Sequence, residues 1–240
     1  MHIYRLCLTL QDPLYFATRE LGRLYMTEHY LHNYALTYAL GLAKSSYHDM
    51  EHIPHYEEDI APLNKQESSI YVTPARAIDF EYVTHTYKWA NLNYHVEMEQ
   101  ISKNIPTYGR IRELAPESSF EFFILATNPL TKIPKWIRLG KWMSKASVKL
   151  QEIEKMREGN EEFTFPYPLN PLDVMFNHQV LSYDTVNMPP VSLIRNVRVK
   201  GNFCEVRIPP SYEIDWTQVS DRSKFERIKI PASMSYRFKV

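Results

Sequence analysis

Residues 132–149 read KIPKWIRLGKWMSKASVK. Lys132, Lys135, Arg138, Lys141, Lys145 and Lys149 occur there without a single acid, and Trp136 and Trp142 are interleaved. Cations neutralise phosphates and indole faces stack on bases, so this segment offers the chemistry of nucleic-acid binding. Gly140 would let backbone approach a phosphate closely. The competing reading is a solvated basic face with two core tryptophans. A second run, PTYGRIREL, groups Tyr108, Arg110 and Arg112 around Gly109. Arg19 and Arg23 lie in a polar-aromatic stretch near the N-terminus. Arg195, Arg198 and Lys200 form another group, and Arg222, Lys224, Arg227, Lys229, Arg237 and Lys239 crowd the C-terminus beside Asp221 and Glu226. The whole chain carries 28 basic and 28 acidic residues. Clusters within a neutral total imply a basic and an acidic side.

Catalytic signals are thinner. His48-Asp49-Met50-Glu51-His52 matches H-x-x-E-H, which on a helix would set two imidazoles on one face for zinc, with the Glu as base. Pro54 and the acids Glu57, Glu58 and Asp59 favour a solvated loop instead, and beyond nearby His55 no third ligand is specified. His29 and His32 could act as acid or base in metal-independent RNA cleavage. Spacing assigns them no partner, and satisfied structural histidines are the plainer reading. Only 6 glycines occur, and neither G-x-G-x-x-G nor G-x-x-x-x-G-K-[ST] is present, which argues against Rossmann and P-loop nucleotide enzymes. No G-x-S-x-G or Cys/His constellation stands out. No cofactor and no metal is expected.

A framework must hold these side chains. Residues 3–11 alternate as a half-buried strand, with Tyr4, Leu6, Leu8 and Leu10 on one face. Asp12-Pro13 ends it, and a loop follows to about residue 28. Residues 29–43 carry Leu31, Tyr34, Ala35, Tyr38 and Leu42 at helical spacing, an apolar helix suited to packing on a sheet. Residues 44–67 read as a solvated acidic loop. Residues 69–73 and 77–99 are strand-like and suggest a long hairpin arm. FEFFILAT, 120–127, is apolar enough for the centre of a sheet. Residues 145–158 fit either a helix or a strand. The Pro-rich segment from about 160 to 191 reads as irregular. Residues 193–208 read as a hairpin turning at Gly201-Asn202, with Val199 opposite Cys204, Val197 opposite Val206 and Arg198 opposite Glu205. Cys7 and Cys204 are expected as reduced core thiols. The order predicts an α+β fold with a largely antiparallel sheet. No apolar run approaches the ~20 residues that span a bilayer. Arg5 breaks the first apolar stretch, so no signal peptide is expected. A cytoplasmic location and no membrane partner follow.

The strings MHIYRLCLTLQDPLYFATRELG, YLHNYALTYALGL and IRLGKWMSKA together resemble the Cas-five-type subunit of the type I-D CRISPR Cascade effector complex. The resemblance runs over essentially the whole chain. It implies a single RAMP domain over 1–240, built on an RRM-like, ferredoxin-like fold. A β-hairpin thumb would be inserted at about 70–107, and a β-hairpin extension would lie near the C-terminus. It implies a non-catalytic subunit that grips the five-prime handle of crRNA, with the Cascade backbone subunit and the large subunit as partners. Target DNA would be met through the complex, near the PAM duplex. Arg138, Gly140, Lys141, Trp142 and Lys145 would hold the handle. Tyr108, Arg110 and Arg112 would touch RNA near the thumb base, and Arg19 and Arg23 would face RNA or PAM DNA. The RRM aromatic motif and the RAMP glycine-rich loop are absent, with Gly140 the one candidate remnant of the latter. The alternative is a metal-independent endoribonuclease acting on repeat RNA.

Overall fold

The structure, a computed structural model, describes residues 1–43, 54–89, 107–209 and 225–238. The chain passes through β1 (His2–Leu10), β2 (Arg19–Leu21), β3 (Leu24–Met26), β4 (Tyr30–Leu31), α1 (Asn33–Ala39) and α2 (Tyr56–Ile60). A 3-10 turn, Ala61–Asn64, leads to β5 (Ile70–Val72), β6 (Ala75–Asp79), β7 (Tyr82–Trp89), β8 (Thr107–Leu114) and β9 (Ser119–Ala126). Then come β10 (Trp136–Leu139), β11 (Ser144–Ile153), β12 (Lys155–Phe165), α3 (Pro171–Met175), β13 (Gln179–Val186), β14 (Leu193–Ile208) and β15 (Glu226–Pro231).

The main sheet runs β10-β11-β1-β9-β6-β4, with β5 also on β9, and its pairs are antiparallel. β9 is buried at every position and lies inside the sheet, as its unbroken apolar run requires. β1 is covered on both faces rather than half-buried: Ile3, Arg5 and Cys7 are as enclosed as Tyr4, Leu6 and Leu8. One face packs on α1 through Leu36 and Leu40, with Phe120, Phe122, Ile137 and Leu139 in the same core. The other packs on a second sheet through Phe163, Phe165, Val197 and Val199, with Tyr167 just after β12 in the same core.

Several expectations shift. The helix spans 33–39 instead of 29–43, because Tyr30 and Leu31 pair with β6. His32 caps it, its Nδ1 accepting from the Tyr34 N–H at 3.2 Å. Gly41 (φ +71°) ends it, with Leu42 N bonding Thr37 O and Gly41 N bonding Tyr38 O. The acidic stretch holds α2 and the 3-10 turn within 54–67. Residues 145–158 are strands, settled by alternate burial of Ala146 and Val148 against β1. The Pro-rich segment is mostly ordered: β12, α3 and β13 occupy it. At the start of the expected 70–107 insertion, β5 and β6 belong to the main sheet. β7 pairs with β8 outside the main sheet, and the connection between them lies outside the described residues.

The C-terminal hairpin is a misreading. Residues 193–208 form one strand, β14, flanked by β12 along one edge. Along the other edge β13 pairs with its first half and β15 with its second. Phe203 offers a straight strand the same apolar face that Cys204 would offer a hairpin, so the pattern alone cannot choose. Tertiary pairing chooses: Val199 lies opposite Phe163, Val197 opposite Phe165, and Cys204 opposite Glu158. Arg198 pairs with Glu162, and Glu205 with Arg157. Gly201 is needed for space rather than for a turn. A Cβ there would lie 2.4 Å from Cδ2 of His178.

A third, small sheet runs β2-β3-β8-β7, with β3 parallel to β8. Both cysteines are free and buried. Burial pushes the Cys7 thiol up to about 12 and that of Cys204 up to about 11, so both stay protonated.

Candidate nucleic-acid interface

The basic, tryptophan-bearing segment becomes β10, a turn and β11 at the free edge of the main sheet. Alternation buries Ile137 and Leu139 and turns Trp136 and Arg138 outward. The register sets Arg138 opposite Lys145 and Trp136 opposite Ser147. The Lys145 ammonium lies 4.2 Å from the centre of the Trp136 ring. Arg138 Nη1 donates to Met143 O at 3.0 Å, and the side chain is otherwise open. Both tryptophans are about half exposed, at 50% and 48%, so neither is a core residue.

Gly140 (φ +71°) makes the turn, but its bare side faces protein. A Cβ there would stand 2.5 Å from the carbonyl oxygen of Tyr15 and 2.6 Å from Leu14 Cδ1. The neighbouring Lys141 N–H donates to that carbonyl at 2.9 Å. The expected approach to a phosphate is thus an approach to residues 14–15. It presents exposed Lys141 and Trp142. The Trp142 ring packs 4.8 Å from Tyr15 and 6.3 Å from Tyr87, which joins the turn to the β7–β8 arm. Behind that contact the Tyr87 hydroxyl donates to buried Glu113, whose carboxyl is raised by burial, and His85 Nε2 stands 3.5 Å away.

Tyr108, Arg110 and Arg112 share the opposite face of the arm, in register with Leu24 and Met26 of β3 and so with Arg19 of β2. Tyr108 and Arg110 are exposed. Arg112 is engaged internally, over the Tyr82 ring at 4.1 Å and donating to Thr27 O at 3.3 Å. Glu28 draws Arg19 and Arg112 to 3.8 and 3.9 Å. Arg23 is exposed in the β2–β3 turn. The candidates therefore form two groups on two sides of the arm.

Pairing separates the clusters further. On the second sheet Arg157, Arg195, Arg198 and Lys229 each meet a carboxylate. Among the described residues no ion pair involves Lys132, Lys135, Lys141 or Lys149, and Arg138 only approaches Asp12 at 4.0 Å. Arg237 lies over the Phe176 ring. Arg222, Lys224 and Lys239 lie outside the described residues.

The histidines diverge. His32 is enclosed, its Nε2 donating to Val191 O at 3.2 Å while Nδ1 caps α1. Burial lowers it to about 4, and both nitrogens are committed. His29 is half-buried, 3.1 Å from the Tyr82 hydroxyl and 3.8 Å from Glu28, and desolvation lowers it too. His48–His52 lies outside the described residues, and no group of three metal-ligating side chains occurs among those described.

Sequence reasoning missed the Tyr15 and Tyr87 partners of Trp142. It also missed a buried polar cluster between the sheets. There Arg5 pairs with Glu121, which also accepts from Tyr167 and from Arg76 at 3.3 Å. One charge inside each of the two most apolar strands was the available signal.

A profile of the type I-D CRISPR-associated protein Cas5/Csc1 family matches residues 1–239. The chain belongs to that family. It is a CRISPR-associated chain, and among the described residues no helix is long and apolar enough to cross a membrane. No curated protein matches it. Similar solved structures include a chain of the type III-B Cmr-beta complex bound to cognate target RNA and AMPPnP. That chain has 11% identity over 82% of this chain and 86% of its own, at a TM-score of 0.47. Another, from Cmr-beta bound to cognate target RNA, has 16% identity over 64% and 61%, at a TM-score of 0.42.

Proposed function

We propose that this family member is a non-catalytic crRNA-binding subunit of type I-D Cascade that caps the five-prime handle of the guide. The observation that carries the reading is the edge segment β10–β11, where lysines without an ion pair among the described residues flank exposed Trp136 and Trp142. Paired cations elsewhere would have to give up a carboxylate to bind a phosphate, whereas Lys141 and Lys149 can displace counterions from RNA without that loss. Arg138, Lys141 and Lys145 take handle phosphates, and Trp142 stacks on a base or braces the turn. Tyr108 and Arg110 extend the contact along the arm, and Arg19 and Arg23 continue it toward RNA or the PAM duplex.

The antiparallel order β11-β1-β9-β6, with α1 in the crossover from β1 to β6, follows a split β-α-β plan and supports an RRM-like RAMP core. The second crossover, between β9 and β10, carries no helix. The β7–β8 arm fits a thumb. In this reading crRNA, the backbone subunit and the large subunit are direct partners, and target DNA is met through base pairing in the complex. The test is affinity purification of the tagged chain and sequencing of the co-purified nucleic acid. Short RNAs with one constant five-prime segment, lost on Lys141→Ala with Lys145→Ala, are expected. Recovery free of RNA overturns the reading.

A second reading, a metal-independent endoribonuclease, rests on His29, which sits beside Tyr82 and Glu28 with a nitrogen free to exchange protons. Incubation with repeat RNA in EDTA separates the two. Discrete cleavage lost on His29→Ala favours the enzyme.

A further inference from the structure

Glu113 of β8 is 2% exposed, yet among the described residues no Arg or Lys pairs with it. Its Oε1 has no hydrogen-bond partner. The Tyr87 hydroxyl bonds the carboxylate, and His85 Nε2 stands 3.5 Å from Oε2. The other enclosed acids are better held. Glu121 meets Arg5, Arg76 and Tyr167, and Asp173 accepts three hydrogen bonds. A buried carboxylate with an idle oxygen lowers stability, because nothing in the protein replaces the bond that water gave it. Register sets Glu113 opposite Val83, with Ile111 two residues back on the same face. A leucine would suit these neighbours better, so packing alone does not call for an acid here.

One side chain connects this acid to the β10–β11 turn. On β7, Val83, His85 and Tyr87 share a face, and Glu113, Ile111 and Gly109 of β8 oppose them in turn. Tyr87 thus stands opposite a residue with no side chain, and its hydroxyl reaches back along the face to Glu113. The same ring packs 6.3 Å from Trp142, tilted by 60°. Trp142 also meets Tyr15 at 4.8 Å. Tyr15 is buried, and its carbonyl accepts from Lys141 N, so that contact is anchored in the body of the protein. Tyr87 is 38% exposed, and an exposed tyrosine has several rotamers open to it. A hydrogen bond to a buried acceptor selects one of them.

We propose that Glu113 is a positioning residue for RNA: through the Tyr87 hydroxyl it fixes the Tyr87 ring against Trp142, and so sets the indole face that a base stacks on. The acid touches no RNA itself. It is kept at some loss of stability because an apolar residue there would leave Tyr87, and with it one wall of the Trp142 contact, free to turn. The inference rests on the RNA reading of Trp142 and deepens it.

The test is a double-mutant cycle on the full chain, read by fluorescence anisotropy with a fluorescein-labelled oligoadenylate of about twelve nucleotides. Trp142→Ala should weaken binding about tenfold, the loss of one stacked base. Glu113→Leu and Tyr87→Phe each delete the hydrogen bond and keep the packing, and each should weaken binding about fivefold. On a Trp142→Ala background neither should have a further effect. Glu113→Gln, which keeps an acceptor for the hydroxyl, should recover most of the loss. Calorimetry of Glu113→Leu should give a Tm level with the parent or above it. Parental affinity in Tyr87→Phe overturns the proposal, and so do losses that simply add to that of Trp142→Ala. Should Glu113→Leu fail to fold, Tyr87→Phe, a change at an exposed ring, decides through the same cycle. A parent that binds no RNA, or Trp142→Ala with parental affinity, sinks the RNA reading and this inference together. Additive losses in a chain that binds RNA sink this inference alone.

Discussion

Gly140→Ala distinguishes a glycine that serves a phosphate from one that serves the fold. At φ +71° an alanine meets its own carbonyl, which costs roughly 1–2 kcal/mol. Its Cβ would also fall 2.5 Å from Tyr15 O, a backbone atom with no rotamer to escape through. The turn must then lift away. That lengthens the 2.9 Å bond from Lys141 N to Tyr15 O, worth about 0.5–1.5 kcal/mol. It also loosens the 4.8 Å packing of Tyr15 on Trp142, worth a similar amount. The combined loss is about 2–5 kcal/mol. For a chain of this size each kcal/mol lowers Tm by roughly 2–4 °C, so thermal unfolding should drop by about 4–20 °C. Calorimetry of the free chain, without RNA, is the assay. A Tm within 1 °C of the parent, accompanied by weaker RNA binding, would refute the packing argument and return Gly140 to a phosphate-facing role.

Lys141→Ala with Lys149→Ala should flatten the dependence of log K on log salt by about 0.7 for each phosphate that is no longer neutralised, whereas Arg198→Ala, already paired with Glu162, should leave it unchanged. RNA titrations at several salt concentrations read this directly, and equal slopes would remove the segment from the interface. Burial raises Asp173 from 3.8 to about 7 although it accepts from Arg237 N, Tyr71 and Asn33. The folded state therefore holds a proton that the unfolded state has released, and stability falls as pH rises from about 4 through 7. Asp173→Asn turns an amide N–H toward one of these donors and lowers stability overall, but it should abolish the pH dependence: the parent loses about 2–3 kcal/mol between pH 5 and 8 in urea unfolding, at 1.36 kcal/mol per pH unit, and the variant none of it. His32 has the opposite sign. Lowered from 6.5 to about 4, it costs stability as pH falls through that window, and His32→Asn, which keeps a capping oxygen, should resist acid better. Gly201→Ala should lower Tm through its clash with His178 and leave RNA affinity unchanged, since Gly201 lies on the second sheet and His178 in the bend that leads into it. A preserved Tm would show that the ring can move aside.

What could be read from the chain depended on how local the cause was. FEFFILAT declares a central strand because burial on both faces leaves no alternation to misread. Residues 145–153 hid a strand behind helix-forming residues, and pairing with β1 overrode that propensity. Gly201-Asn202 carried the local signature of a turn, yet a glycine also marks a close approach inside a strand. Choosing between the two needs His178, which lies far back along the chain beyond the whole of β13. The basic segment was legible because a run of like charges without an acid cannot be neutralised locally. Its partners Tyr15 and Tyr87 were invisible, since nothing in their own neighbourhoods points to Trp142.

Arg5 and Glu121 show the same limit from the other side. Each alone looks like a flaw in an apolar strand, and a buried charge without a partner would be severely destabilising. Their strands are neighbours, and the register places Arg5 opposite Phe123 and Cys7 opposite Glu121, so both charges point to the face shared with the second sheet. Tyr167, just past the end of β12, and Arg76 of β6 complete the cluster. A hydrophobic replacement of the pair could be as stable, but it would lose the directional bonds that tell one sheet how to sit on the other. The two charges thus act on register and docking between the sheets. β10 and β11 lie in the same sheet as Arg5, and β11 is paired directly with β1.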